Sequence, residues 1–304
     1  MTMAIPTPTI TQNAPIHTWY KVGGRADALA KPETIEQLAQ VLDENETVRV
    51  LGEGANLLVA DDGVDGVVVS LKNGIFGETQ VDPDSHLLVV GAGVDLRRLI
   101  TLTSNEGLAG LEVLGGIPAT VGGAVRMNAG GTFGQIAQAV AHVFVMGPDG
   151  RDRLLEAWEI DFGYRHSGLE DEIITRVAFS LTPDDPKAVR DRLRACMDHK
   201  GKTQPMGKQS AGCTFKNPLL TSGVKGIGDA GTRVSAGKLI DRAGCKGLGV
   251  GGAEVSEHHA NFFVTHKGAS AADVIALMDE VEGRVYGTFG VRLEREVVVW
   301  ERSR

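Results

Sequence analysis

Aromatic residues make up only 5% of the 304-residue chain, and cysteine is scarcer still. Cys196, Cys213 and Cys245 are an odd number without CxxC spacing, which argues against a disulfide scaffold or a zinc ribbon. A reduced compartment is the expected setting. Basic residues are in deficit, Lys+Arg 31 against Asp+Glu 39, so the net charge is −8. Sequence-blind binding of nucleic acid draws on a basic surface and is disfavoured. No apolar run reaches the ~18 residues of a membrane helix. The stretch Met1 to Asn13 has neither a basic start nor a long apolar core, so no secretory signal is read there and a cytoplasmic location is expected. No Gly-x-x-x-x-Gly-Lys-Ser/Thr sequence occurs, which disfavours a P-loop. Gly91-Ala92-Gly93 follows an apolar strand, but Leu96 stands where a dinucleotide fingerprint needs its third glycine.

Glycine is present in excess, at 40 residues, in clusters without a period, so collagen and low complexity are excluded. With 42% hydrophobic and 23% charged residues the chain is globular in composition. Ile35, Leu38, Ala39 and Leu42 recur at helical spacing between Pro32 and Asn45, with Pro32 suited to a first helical position. Strands are predicted at Val48–Leu51, Leu57–Val59, Val67–Val69, Leu87–Val90 and Val143–Met146. Helices are predicted from Asp95, over Ala188 to His199, and over Ala271 to Tyr286. Ser270 and Asp273 form the capping pair of the last helix. After Gly201 the chain turns to Gly/Lys-rich loops and short strands such as Asn261–Val264, and Leu293–Trp300 reads as a terminal strand. The class is α+β.

Five segments carry chemistry. Gly52-Glu53-Gly54-Ala55-Asn56, before Leu57, is either a plain hairpin or a nest of backbone N–H groups for an anion. Gly115 to Ala124, with Gly116, Ile117, Pro118, Ala119, Thr120, Gly122 and Gly123, runs on to Met127-Asn128-Ala129-Gly130. It offers backbone donors and few side chains, suiting a large flat ligand or a ligand-free Ω loop. Tyr164-Arg165-His166-Ser167 lies between Gly163 and Gly168. Cys213 follows a glycine and precedes Lys216 and Asn217. A nearby cation lowers a thiol pKa, although a lone cysteine is more often a core filler. The fifth is Leu293-Glu294-Arg295-Glu296-Val297. His258-His259 beside Glu257 is read as a surface or supporting feature, not a metal site, because adjacent side chains diverge.

Together with His17-Thr18-Trp19-Tyr20-Lys21-Val22-Gly23-Gly24, these ordered segments resemble the UDP-N-acetylenolpyruvoylglucosamine reductase family over nearly the whole chain. The short interval from Tyr164 to Cys213 is similar to its type II branch, without a substrate-covering tyrosine loop. The resemblance implies a two-part FAD-binding fold of the vanillyl-alcohol oxidase type followed by a smaller α+β substrate-binding domain. The corresponding spans are 1–78, 79–199 and 200–290, with 291–304 returning to the first. It further implies noncovalent FAD held by Gly52 to Leu57 and by Gly116 to Ala124, with NADPH as reductant. Hydride then passes from reduced FAD N5 to C3 of an enolpyruvyl ether, giving UDP-N-acetylmuramate for peptidoglycan, cell-wall biogenesis and division.

By the same resemblance Arg165 clamps the developing enolate and Glu296 is its acidic partner. Cys213, where the family most often has serine, protonates C2, and Asn217 matches a contact to the nucleotide sugar; Tyr164 is a further candidate substrate contact, and Lys202 and Lys216 are candidate cations for its diphosphate. Lys208 and Lys238 add local positive charge to an acidic chain. A monomer with no metal, nucleic acid or membrane partner is expected. Another flavin oxidase of the same fold and a non-catalytic nucleotide-sugar binding protein remain the alternatives.

Overall fold

The computed structural model describes residues 6–82, 84 and 87–303. Met1–Ile5 and Arg304, at the outer limits of the expected domains, lie outside them. The chain divides into two compact units. The first takes the described residues up to Ala14, Ala26–Glu53 and Asp65–Lys200. The second takes Pro15–Arg25, Gly54–Val64 and the described residues from Gly201 onward.

Beside two-stranded pairings of Gly130–Gly131 with Gly134–Gln135 and of Leu108–Ala109 with Thr182–Pro183, the first unit is built on two larger sheets. In one, Thr9–Pro15, Arg25–Lys31, Val64–Val69 and Val48–Val50 lie in that order, and Val48–Val50 runs parallel to Val67–Val69. In the other, Asp152–Glu156, Val140–Met146, Ile173–Phe179, Leu88–Gly91 and Thr79–Val81 form an antiparallel array. Helix α1 (Ile35–Glu44) begins where the Thr34 hydroxyl accepts from Gln37 N–H. Pro32 thus precedes the cap and does not occupy the first helical turn, since Thr34 supplies the stronger start signal. Helix α2 (Leu96–Asn105) starts at Asp95, whose carboxylate accepts from Arg97 N–H at 2.8 Å and Arg98 N–H at 3.1 Å. Leu96, Leu99 and Ile100 enter the core, each worth about 1.5–3 kcal/mol of burial. Helix α3 (Val121–Arg126) is short and capped by Thr120, and helix α4 (Pro186–Thr203) packs Val189 and Cys196 inward.

The second unit has its own core, which includes Tyr20, Leu58, Phe215, Phe263, Leu277 and Val281. Phe215 and Phe263 meet edge to face with centroids 5.8 Å apart, a favoured aromatic geometry. Helix α5 (Ala236–Arg242) is capped by Ser235. Helix α6 (Ala271–Phe289) opens with the expected Ser270/Asp273 capping box and ends at Gly290, whose φ of 66° favours glycine. A three-stranded antiparallel sheet joins Gly249–Val250, Ala253–Val255 and Phe263–Thr265. Asn261 and Phe262 precede the last of these strands and are held by other contacts.

Two strand expectations change. Leu57–Val59 does not fold back on Val48–Val50 as a hairpin; it pairs in parallel with Val298–Trp300. The terminal strand is accordingly only these three residues long, because Leu293 to Val297 is drawn instead toward residues 214–216. All three cysteines are free thiols.

Candidate active site

In the first unit, Thr120 of the second predicted cofactor segment packs against Gly52 of the first. A Cβ on Gly52 would lie 3.0 Å from Thr120 Oγ1, and one on Gly123 would lie 3.2 Å from it. The same hydroxyl accepts from Gly123 N–H at 3.2 Å. Gly116 has φ +77°, and Gly122 is pressed so near Ala92 that a Cβ would stand 2.8 Å from the alanine Cβ. Main chain is therefore the chief material at 52 and 115–124, which fits a long, flat, phosphate-bearing cofactor that needs close backbone approach. Glu53 is paired with Lys72 at 2.8 Å.

The Arg165 hairpin belongs to the same unit. Gly163 and His166 bridge across Tyr164 and Arg165, and Arg165 has φ 57°, a region that arginine occupies at a cost. Its guanidinium donates to Gly130 O at 3.1 Å and lies 5.4 Å from the Tyr164 ring centroid. Asn128, buried and with φ 38°, donates its side-chain amide to Gly163 O at 2.8 Å. Arg126 donates to the carbonyls of Leu169 and Glu170, each at 2.6 Å, and Ser167 Oγ donates to Arg126 O at 2.9 Å. The 126–130 segment therefore holds the Arg165 turn from beneath through backbone carbonyls, leaving Arg165 half-buried and Tyr164 exposed.

In the second unit, Cys213 bridges to Phe262 and Phe215 bridges to Arg295. Glu296 N–H donates to Thr214 O at 2.8 Å, and Lys216 N–H donates to Glu294 O at 2.8 Å. The thiol-bearing and glutamate-bearing segments are thus direct neighbours. Asn56 donates its side-chain amide to Glu296 O at 2.9 Å. Lys216 Nζ contacts Glu294 Oε1 at 2.5 Å, and Asn217 Oδ1 accepts Ala236 N–H at 2.9 Å, where α5 begins. Lys202, Lys208 and Lys238 are exposed. Beneath Cys213 the Tyr20 phenol is wholly buried, and burial pushes its pKa well above the usual phenol value. The Thr214 hydroxyl partly offsets this, but the two oxygens fall short of hydrogen-bond geometry, so burial is the cause that matters.

The opening motif also has a structural role. A Cβ on Gly23 would stand 2.3 Å from Val59 O, so that glycine lets the motif lie directly against the Leu57–Val59 strand. His259 is half-buried. Its Nδ1 accepts Asn261 N–H at 3.2 Å, and burial holds its pKa below the usual histidine value. Sequence reasoning passed over Asn128 and Asn261, although both are buried amides bonded to the segments carrying Arg165 and Cys213. The available signal for Asn261 was a β-disfavoured residue leading an apolar strand.

Comparison with known proteins agrees with this division of labour. A family model described as "FAD binding domain" matches residues 26–153, and one described as "UDP-N-acetylenolpyruvoylglucosamine reductase, C-terminal domain" matches 204–300. A curated UDP-N-acetylenolpyruvoylglucosamine reductase of Moorella thermoacetica is 40% identical over 298 residues, covering 96% of this chain and 93% of the relative. One from Desulfosudis oleivorans is 41% identical over 299 residues, covering 93% and 91%. The crystal structure of UDP-N-acetylenolpyruvylglucosamine reductase from Thermus caldophilus superimposes with a TM-score of 0.80 at 40% identity, covering 93% of this chain and 95% of that one. With an FAD-binding part, a reductase C-terminal part and identity of this extent, the chain belongs to the UDP-N-acetylenolpyruvoylglucosamine reductase family.

Proposed function

We infer that this chain reduces the enolpyruvyl ether of UDP-N-acetylglucosamine-enolpyruvate to UDP-N-acetylmuramate, with FAD as cofactor and NADPH as reductant, in peptidoglycan precursor synthesis. The observation that carries the chemical assignment is the direct pairing of the Cys213 and Glu296 segments, with Glu296 N–H on Thr214 O at 2.8 Å. Bound FAD, once reduced by NADPH, supplies the hydride. The remaining task for the protein is to stabilise negative charge on C2 and the attached carboxylate, and to deliver one proton.

Arg165 carries out the first task. Its planar guanidinium can hold a carboxylate or enolate by two parallel hydrogen bonds, and its left-handed turn fixes where that fork points. Glu296 is the acidic partner that orients and polarises this charge. Cys213 carries out the second: its S–H proton passes to C2, the new C–H bond forms, and the thiolate left behind is reprotonated from water. A thiol is a stronger acid than a serine hydroxyl, so the exchange of serine for cysteine keeps the step feasible. Tyr164, Lys216 and Asn217 are assigned to the nucleotide sugar, and Lys202 supplies charge to its diphosphate.

Gly52 to Leu57 and Gly116 to Ala124 are assigned to noncovalent FAD. The two larger sheets of the first unit support a two-lobed cofactor part, 1–78 and 79–199, with 200–290 binding substrate and 291–304 returning to pair with Leu57–Val59 of the 1–78 span. No described helix is long and apolar enough to cross a membrane. A cytoplasmic monomer without nucleic-acid or membrane partners completes the reading.

Anaerobic titration of the purified flavoprotein with NADPH, followed by the enolpyruvyl substrate, tests the activity. Bleaching by NADPH and return of the oxidised flavin spectrum only on substrate addition is the expected result. A preparation without flavin absorbance would favour a nucleotide-sugar binding protein, and reduction by a different donor would favour another oxidase.

A further inference from the structure

The extended segment Cys213 to Lys216 is held from two sides. On one side it meets residues 294–297 through backbone hydrogen bonds. On the other the neighbour is largely one side chain. Asn261, 2% exposed, accepts Phe215 N–H on Oδ1 at 3.0 Å and donates from Nδ2 to Phe215 O at 2.8 Å. Its own carbonyl accepts Thr214 N–H at 2.8 Å. A carboxamide thus does for Phe215 what a strand backbone would do, satisfying both its donor and its acceptor. Phe215 itself is fully buried, so without the carboxamide two backbone groups would face a core with no water.

We propose that Asn261 is a positioning residue for proton delivery, its carboxamide fixing the segment that carries Cys213 in register with the segment that carries Glu296. The proposal rests on the reading of Cys213 as proton donor. Asparagine serves here because one side chain can accept and donate at once, with the spacing of a peptide group. An aliphatic residue of similar volume could fill the space but would leave Phe215 N–H and C=O unpartnered. The segment would then be free to shift its thiol by a fraction of an ångström, a displacement to which proton transfer is steeply sensitive.

The test uses the FAD-loaded enzyme carrying Asn261→Ala, Asn261→Asp, Phe263→Leu or Cys213→Ala. Three rates are read: flavin reduction by NADPH, reoxidation of reduced enzyme by the enolpyruvyl substrate, and alkylation of Cys213 by iodoacetamide against pH, followed on its peptide by mass spectrometry. Asn261→Ala is expected to slow reoxidation by about 10–100-fold. It should leave reduction within about twofold and displace the pH dependence of Cys213 alkylation.

Asn261→Asp keeps the acceptor for Phe215 N–H and loses the donor, so its loss of reoxidation should be smaller. If the alanine variant does not fold, the aspartate variant decides. Phe263→Leu removes packing from the same core and should lower stability without moving the alkylation profile or the ratio of the two flavin rates. Folded Asn261 variants with normal reoxidation and normal alkylation, beside a Cys213→Ala enzyme that fails to reoxidise, would overturn the role of Asn261 alone. Normal reoxidation in Cys213→Ala would overturn the proton-donor reading on which it rests.

Discussion

Arg165 shows at the scale of one residue how a proposed function is set against local stability. Its φ of 57° lies where an L side chain costs about 1–2 kcal/mol, yet the position carries a long cation held on Gly130 O. Arg165→Gly relieves the backbone while Arg165→Ala does not, so urea denaturation should find the glycine variant at least as stable as the alanine variant. Both should lose about 10²–10³-fold in substrate-driven reoxidation, because the group proposed to hold the developing anion is gone, with NADPH reduction nearly unchanged. Arg165→Lys should recover little, since a point charge lacks the planar fork. At Cys213 the chemistry predicts a sharper contrast. Cys213→Ser keeps a transferable proton and should keep turnover, whereas Cys213→Ala should reduce its flavin with NADPH and then stall. Single-turnover mixing separates the two. Arg165 and Cys213 could be singled out as candidates in the sequence because each stands in a motif that contains glycine and whose proposed chemistry is in the side chain. Asn128 and Asn261 could not, because their side chains bond the carbonyl of Gly163 and the amide and carbonyl of Phe215, partners set only by the tertiary fold.

Among the elements, α6 shows how far capping chemistry can be read in advance and where it stops. Ser270 and Asp273 announce the helix start, and the structure has the reciprocal bonds, with Asp273 N–H on Ser270 Oγ at 3.1 Å and Ser270 N–H on Asp273 Oδ2 at 3.0 Å. The same carboxylate also accepts Gly252 N–H at 3.0 Å, which ties the helix start to the loop between Val250 and Ala253. Those amides, Gly252 first and Ser270 next, hold the Asp273 pKa below the ordinary aspartate value. A depressed carboxylate pKa contributes stability that is present above the unfolded value, near pH 4, and is lost as pH falls through the folded value. Asp273→Asn should therefore be less stable at neutral pH and show a shallower loss of stability below about pH 4 in acid titrations followed by circular dichroism. Gly251 beside it has φ +53°, and a Cβ there would stand 2.2 Å from Asp273 Oδ1. Gly251→Ala should cost more than about 1 kcal/mol in urea denaturation, through backbone strain and through displacement of the carboxylate. The strand pairings were less legible. The sequence pattern located Leu57–Val59 as a strand and placed Val298–Trp300 inside a longer one over Leu293–Trp300, but their parallel pairing links residues far apart in sequence and has no local signature.

For the molecule as a whole, the change in composition near Gly201 marks where the second unit takes over the chain, and that much was readable. What composition does not reveal is that the second unit also draws in Pro15–Arg25 and Gly54–Val64. Tyr20 and Leu58 from these two insertions are completely buried in its core beside residues of the C-terminal third. That unit can be completed only when the end of the chain arrives. Val297 is 3% exposed in the same core, Val298 N–H donates to Asn56 O at 3.1 Å, and Ala60 N–H donates to Trp300 O at 2.8 Å. Removing residues 297–304 forfeits one buried valine, worth about 1.5–3 kcal/mol, and backbone hydrogen bonds worth about 1 kcal/mol each. The loss should total roughly 3–5 kcal/mol and lower the urea midpoint substantially. Removing only residues 301–304 takes away chain beyond the strand, of which Glu301, Arg302 and Ser303 are exposed and Arg302 donates to Asp62 O at 2.8 Å, and should shift stability by less than about 1 kcal/mol. The two truncations measured side by side distinguish a structural closing strand from a passive tail: equal midpoints would mean that Val298–Trp300 contributes nothing to the unit it pairs with. Because Asn56 also donates to Glu296 O, the longer truncation should slow substrate-driven reoxidation in whatever fraction remains folded, whereas the shorter should leave it unchanged.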